Sequence, residues 1–297
     1  TLARHRTYPL LLSACVPCQP FSKQNRRVVK RVPKFHDAAL LDEFHRFVSY
    51  FLPEYVFLEN VPGLQKVSQR TGPYARFLKH LVSLNYAVAT DVVACQDYGV
   101  PQKRQRLVLL ASRLGAIELP ARTHGIAPGF RPYSTVRDWI SKYPPIEAGE
   151  THPDIPNHRA RALSARNLAR IRATPQGGGR RSWPQSLILQ CHKGHDGHTD
   201  VYGRLDWDRP APALTTKCIT LSNGRFGHPE QDRAISLREA ASLQTFPDDF
   251  VFHGSLTTMA RHVGNAVPVL MAKTFGQAIV HHYACLFRGT HFRARRA

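Results

Sequence analysis

The chain has 297 residues, 42% of them hydrophobic, enough for one full core plus a smaller second domain, since domains cluster near roughly 100 to 200 residues. No apolar run approaches the ~20 residues needed to span a bilayer and Thr1 to Ala14 lacks a signal-peptide pattern, so a soluble, cytoplasmic protein with no membrane partner is expected. Lys and Arg total 41 against 21 acidic residues, a formal charge of +20; that balance points to a polyanion, with nucleic acid first, and would make binding salt-dependent.

In chain order, Tyr8 to Ala14 (YPLLLSA) is a short apolar run ending in a Pro- and Cys-containing loop, the pattern of a buried parallel strand. From His36 to Leu52, apolar Leu40, Leu41, Phe44, Phe47, Val48 and Phe51 recur at three- and four-residue spacing with Asp37 as a cap, which predicts an amphipathic helix. Tyr55 to Leu58 reads as a strand running into Glu59-Asn60-Val61-Pro62-Gly63, where Pro and Gly stop it. Pro73 to Leu84 reads as a helix opened by proline, Tyr86 to Ala94 as a β-branched strand, and Leu107 to Ala111 as another buried strand. This alternation predicts a parallel or mostly parallel sheet with helices on both faces and ligands outside the carboxyl ends of the strands. The expected segments are an α/β domain over 1–115, an irregular Pro-, Gly-, Arg- and His-rich domain over 116–230, and a return to order over 231–297. In the last segment Ser236-Leu237-Arg238-Glu239 is a capping box, Pro268 starts a final helix, and the HFRARRA tail is expected to fray.

Three stretches carry chemistry. Cys18, in Pro17-Cys18-Gln19-Pro20-Phe21-Ser22, sits in a loop after a strand, where backbone donors and basic groups lower a thiol pKa and suit a nucleophile. Cys15 lies three residues earlier, so a Cys-x-x-Cys redox or metal motif stands beside that reading. Six cysteines are too few for a disulfide scaffold. Glu59 places a carboxylate at the end of an apolar strand, suited to give or share a proton, or simply structural. Gln102-Lys103-Arg104-Gln105-Arg106 enters an apolar strand, and alternation puts Gln102, Arg104 and Arg106 on one face, either a guanidinium pair for a ligand or an ordinary basic edge. Cys191, His192, His195 and His198 have irregular spacing for zinc, so no metal is expected.

Taken together and in order, PCQPFS, LENVPG, DYGVPQKRQRLVLLA, SLREAASLQTFPDDF and RHVGNAVP resemble the DNA (cytosine-5)-methyltransferase family, closest in wording to bacterial restriction-modification methylases. The resemblance spans Leu10 to about Gly276. It implies a Rossmann-like, S-adenosylmethionine-dependent α/β methyltransferase domain, with the family's target-recognition domain in the irregular middle. It also implies a mechanism in which Cys18 attacks C6 of a flipped-out cytosine in duplex DNA, Glu59 serves N3, and Arg106, with Arg104, holds the pyrimidine carbonyl or a flanking phosphate. Asn265, Ala266 and Val267, with Leu40 on the first helix, would line the site of the methyl donor. Gln19, Ser22, Arg180, Arg181, Arg204 and Lys217 are the candidate DNA contacts.

Family members open with a strand and a Gly-rich loop followed by an acidic residue. Here no glycine precedes Gly63 and the first acidic residue is Asp37. The chain is therefore expected to be incomplete at its N-terminus, either a fragment or one half of a split enzyme partnered by a separate N-terminal subunit. A non-catalytic DNA-binding remnant is the alternative.

Overall fold

A computed structural model describes residues 8–16, 39–66, 71–194, 197 and 199–287. The regular elements are β1 (Leu11–Ala14), α1 (Ala39–Phe51), β2 (Tyr55–Asn60), α2 (Pro73–Ser83), β3 (Ala87–Ala94), β4 (Gln102–Lys103), β5 (Gln105–Ser112), α3 (Val136–Ile140), α4 (Ala165–Arg172), β6 (Ala211–Pro212), α5 (Leu237–Leu243), α6 (Leu256–Asn265) and α7 (Val269–Leu286). They fall into two compact units, one comprising 1–94, 105–121 and 273–297, the other 95–104 and 122–272.

The first unit is a four-stranded sheet in the order β1-β2-β5-β3. β1 and β2 pair in parallel, with Ala14 opposite Leu58, whereas β5 runs antiparallel to both neighbours. The expectation of a mostly parallel sheet is thus corrected. Parallel pairing needs a crossover of a dozen or more residues, usually a helix, and the ten residues between β3 and β5 hold a 3₁₀ turn over Cys95–Tyr98 and the short β4 instead. Side chains alternate across the strands. Val56, Leu58, Leu107, Leu109 and Ala111 form one core with Leu41, Val48, Phe77 and Leu81 of α1 and α2. On the opposite face Phe57 meets Phe275 of α7 at a ring-centroid distance of 5.8 Å, and the Tyr55 hydroxyl bonds His282 at 2.9 Å. Helices therefore cover both faces, as expected. α2 opens with Pro73 at its first turn and is followed by Asn85 at φ 61°, a left-handed residue that ends the helix.

The second unit is mostly 3₁₀ turns and loops around a core of Val136, Ile140, Trp207, Leu214, Phe226, Leu237 and Val263. Its helices begin where side chains can cap them. Thr135 and Asp138 form a capping box before α3, Ser236 and Glu239 form the expected one before α5, and Ser164 and Ser255 cap α4 and α6. The return to the first unit falls at Lys273 rather than at residue 231, because α5 and α6 pack into this second core. Much of the interior is charged. Arg233 and Arg238 are fully buried; Arg233 makes a two-pronged pair with Glu239, both contacts at 2.7 Å. Arg238 donates to the carbonyls of Pro156, Pro247 and Phe250. Guanidiniums with five donors in a planar fork thus tie together loops that have few strands to do so.

Candidate active site

Because β1 and β2 are parallel neighbours, the chain leaves both at the same edge of the sheet, and because β5 is antiparallel it enters there. Three stretches far apart in sequence meet at that edge: Cys15-Val16, Glu59-Asn60 and Gln105-Arg106. Register sets the first contact. Glu59 lies opposite Val108, so Arg106, two residues along β5, is its diagonal neighbour on the same face, a separation of roughly 7–8 Å that a long side chain bridges. The Arg106 Nε lies 2.6 Å from the Glu59 Oε1, with side-chain exposures of 13% and 8%. Arg106 also donates to the Gln105 carbonyl at 2.7 Å. The carboxylate is thereby aimed by a permanently charged partner in a largely dehydrated place.

Asn60 points to the other face, and its Nδ2 donates to the Val16 carbonyl at 2.9 Å. Its Oδ1 accepts from the Val61 N–H at the same distance. One side chain thus fixes the start of the loop after β1 and the start of the loop after β2. Sequence reasoning missed this role although Asn60 lies inside the LENVPG motif; the signal was the motif itself. Cys15 also reaches this edge. Burial pushes its thiol up to about 12, reinforced by the negative charge of Glu59 and a hydrogen bond to it and opposed by Arg106. The raised pKa makes Cys15 a weaker nucleophile near neutral pH, although its surface is exposed. Cys18, Gln19 and Ser22 lie outside the described residues, as do His195 and His198. Among the described residues no group of three His, Cys, Asp or Glu side chains is arranged to hold a metal.

Arg104 lies between β4 and β5. The strand breaks there, and its guanidinium, 2% exposed, donates to the carbonyls of Leu214 at 2.8 Å and Gly264 at 3.0 Å. It is a structural anchor of the second unit rather than a partner of Arg106. Gln102 joins the same knot. Its Nε2 donates to Gln244 at 3.0 Å and its Oε1 accepts from the Leu214 N–H at 2.9 Å. Gly264 is demanded by contact, since a Cβ there would lie 2.1 Å from the Thr215 carbonyl oxygen. Arg204 and Arg180, both expected at DNA, are buried and bonded within the chain. Arg204, 4% exposed, spends its donors on the carbonyls of Thr174, His228 and Ile171 and on Asp232; Arg180, 7% exposed, donates to the Gly197 carbonyl. Arg181 and Lys217 are exposed.

Of the residues expected at the donor site, Leu40 lies on α1 in the first unit with 42% of its surface exposed. Asn265 ends α6 in the second unit and is exposed, while Ala266 and Val267 are half-buried. The Ala266 carbonyl already accepts from Gln244 and Arg104. Leu40 thus presents an apolar side chain on the first unit and Asn265 an exposed amide on the second.

The fold is shared with solved methyltransferases. Among solved structures it matches a DNA modification methyltransferase encoded within a prophage of E. coli, with TM-score 0.64, 21% identity, and coverage of 91% of this chain and 78% of that one. It also matches the Entamoeba histolytica methyltransferase EhMeth, with TM-score 0.55, 15% identity, and coverage of 92% and 77%. The family model described as C-5 cytosine-specific DNA methylase matches residues 2–281, and the chain belongs to that family. Among curated relatives, the type II methylase M.HgiDII of Herpetosiphon aurantiacus is 40% identical over 96% of this chain and 78% of its own length. The type II methyltransferase M1.HphI of Haemophilus parahaemolyticus is 34% identical over 89% and 66%. No described helix is long and apolar enough to cross a membrane.

Proposed function

We propose that the chain methylates C5 of a flipped-out cytosine in duplex DNA through a covalent adduct of Cys18 with C6. The observation that carries this reading is the Glu59–Arg106 pair at 2.6 Å, on the sheet edge where Asn60 holds the Val16 carbonyl, two residues before Cys18. Cytosine C5 is a poor nucleophile. Addition of the Cys18 thiolate at C6, with Glu59 bonded to N3 and passing it a proton, makes C5 an enamine-like carbon. Arg106 keeps Glu59 oriented and offers its remaining N–H groups to the pyrimidine carbonyl or a flanking phosphate. S-adenosylmethionine, when bound, supplies the electrophilic methyl group, with Leu40, Asn265, Ala266 and Val267 as the residues that hold it. Loss of the C5 proton to solvent water, return of the N3 proton to Glu59 and expulsion of Cys18 as thiolate release 5-methylcytosine. Flipping the base costs a few kcal/mol, offset by contacts to the backbone from a protein carrying +20, in a cytoplasmic, nucleoid-associated setting. The remnant alternative is not adopted, since a non-catalytic binder has no use for a buried carboxylate–guanidinium pair at this edge.

The test is release of tritium from C5-labelled cytosine in mixed-sequence duplex DNA. Addition at C6 labilises the C5 hydrogen. The expected result is release by the chain and none by Cys18→Ser, with DNA binding retained in both. Equal release from the two proteins refutes the mechanism.

A further inference from the structure

The second unit contains a groove that the reaction leaves unexplained. A cavity of about 430 Å³ is lined by Arg161, Asn167, Thr216, Lys217, Thr220, Ser222 and Asn223, among others. It shares Arg161, Ala162 and Thr257 with a second cavity of about 250 Å³ that adds Arg159 and Ser255. Beside apolar Leu163, Ile219, Leu221 and Leu256, the polar part of the lining is one-sided in its chemistry. It offers cations, hydroxyls and amides, with no carboxylate and no aromatic ring in either cavity. Arg161 and Lys217 are exposed, and among the described residues neither is paired with an acid.

One wall is held in place from behind. Gly264 lets α6 touch the Thr215 carbonyl, and Arg104 grips the Leu214 carbonyl at 2.8 Å. The turn that follows is closed by Cys218 N–H to Thr215 O at 3.0 Å and Thr220 N–H to Lys217 O at 3.1 Å. The Thr220 hydroxyl donates to the Lys217 carbonyl and accepts from Asn223, each at 2.8 Å. Thr216 and Lys217 are thus presented from a fixed backbone, which lowers the ordering cost of any ligand they bind.

Resting on the DNA-methylating function above, the geometry points to this groove as a seat for the sugar–phosphate backbone of one DNA strand, with Arg161 and Lys217 on phosphates and the hydroxyls and amides bonding between them. Backbone contacts come from Arg, Lys, Ser, Thr and Asn side chains. Single-stranded bases are typically held on aromatic platforms, and none lines this groove. Gly264 and Arg104, from two of the family-like motifs, then serve DNA binding by holding the wall.

The test is affinity for two duplexes of unrelated sequence, titrated with salt, using the full chain, Arg161→Gln, Lys217→Gln and the double variant, with Lys79→Gln on α2 as an equal change of charge elsewhere. The expected result is a salt slope reduced by about 0.9 for each lost phosphate contact, with affinity falling by the same factor on both duplexes. Slopes and affinities equal to those of Lys79→Gln, in a chain that binds DNA, overturn the groove and leave the methylating function standing. A loss confined to one duplex also overturns it, by making these residues base readers. Failure of the unaltered chain to bind either duplex at low salt overturns both readings.

Discussion

Replacing Glu239 with glutamine takes one charge out of the second unit while changing almost no volume. Glu239 is fully buried. Burial pushes its carboxyl up, but the Arg233 guanidinium bonded to it outweighs that and holds it below the usual carboxylate range, with help from His228 and the Ser236 N–H. Both guanidinium contacts measure 2.7 Å, and the Ser236 N–H donates at 2.7 Å as well. Glutamine can keep the cap to Ser236, yet its NH₂ then faces an N–H donor and Arg233, also fully buried, is left without its counter-charge. Breaking such a pair from one side costs about 3–5 kcal/mol, a large share of the roughly 5–15 kcal/mol that holds a domain folded. At about 2–4 °C per kcal/mol, the expected fall in Tm is on the order of 6–20 °C. The three tryptophans, Trp139, Trp183 and Trp207, all lie in the second unit, so selectively excited tryptophan fluorescence during heating reports on this unit. A fall below about 3 °C, under ~1 kcal/mol on the same scale, refutes the reasoning. Removing both charges, as Arg233→Met with Glu239→Leu, is expected to recover most of the loss, because no charge is then stranded.

Acid should weaken the same unit. Burial pushes His228 down to about 4 against the attraction of Glu239, and its neutral Nδ1 accepts from the Glu230 and Gln231 N–H groups. A folded pKa below the unfolded one, about 6.5, gives stability that is complete above pH ~6.5 and lost as pH falls toward 4; a loss of roughly 2 kcal/mol between pH 7.5 and 5 is expected, read from the urea midpoint by tryptophan fluorescence, and a constant midpoint over that range contradicts it. Asn60→Ala should release the Val16 carbonyl and lower kcat about 10-fold to 100-fold by misplacing the loop that carries Cys18, with DNA affinity unchanged; full turnover would show that the tether is dispensable. Cys15→Ser should leave methyl transfer intact, since its raised pKa makes it a weaker nucleophile, and loss of activity would support the two-cysteine reading.

The elements of the first unit were legible in the sequence because each is a local pattern. Helical spacing marked α1, Pro73 opened α2, β-branched runs marked β3 and β5, and Ser236 with Glu239 announced α5 three residues apart. Glu59 and Arg106 were also legible, as polar residues at the ends of apolar strands. Several further facts were decided only by the tertiary structure. Alternation put Arg104 beside Arg106, but alternation holds only within one strand, and the break at Arg104 sends its guanidinium to the carbonyls of Leu214 and Gly264. The direction of β5 depended on how the chain returns from β3, which composition does not encode. Above all, an arginine reads the same in sequence whether it faces solvent or fills a core. Arg204 and Arg180 are buried against carbonyls while Arg181 and Arg161 are exposed. Charge is a property of the residue, whereas the partner that satisfies it is supplied by backbone folded in from elsewhere in the chain.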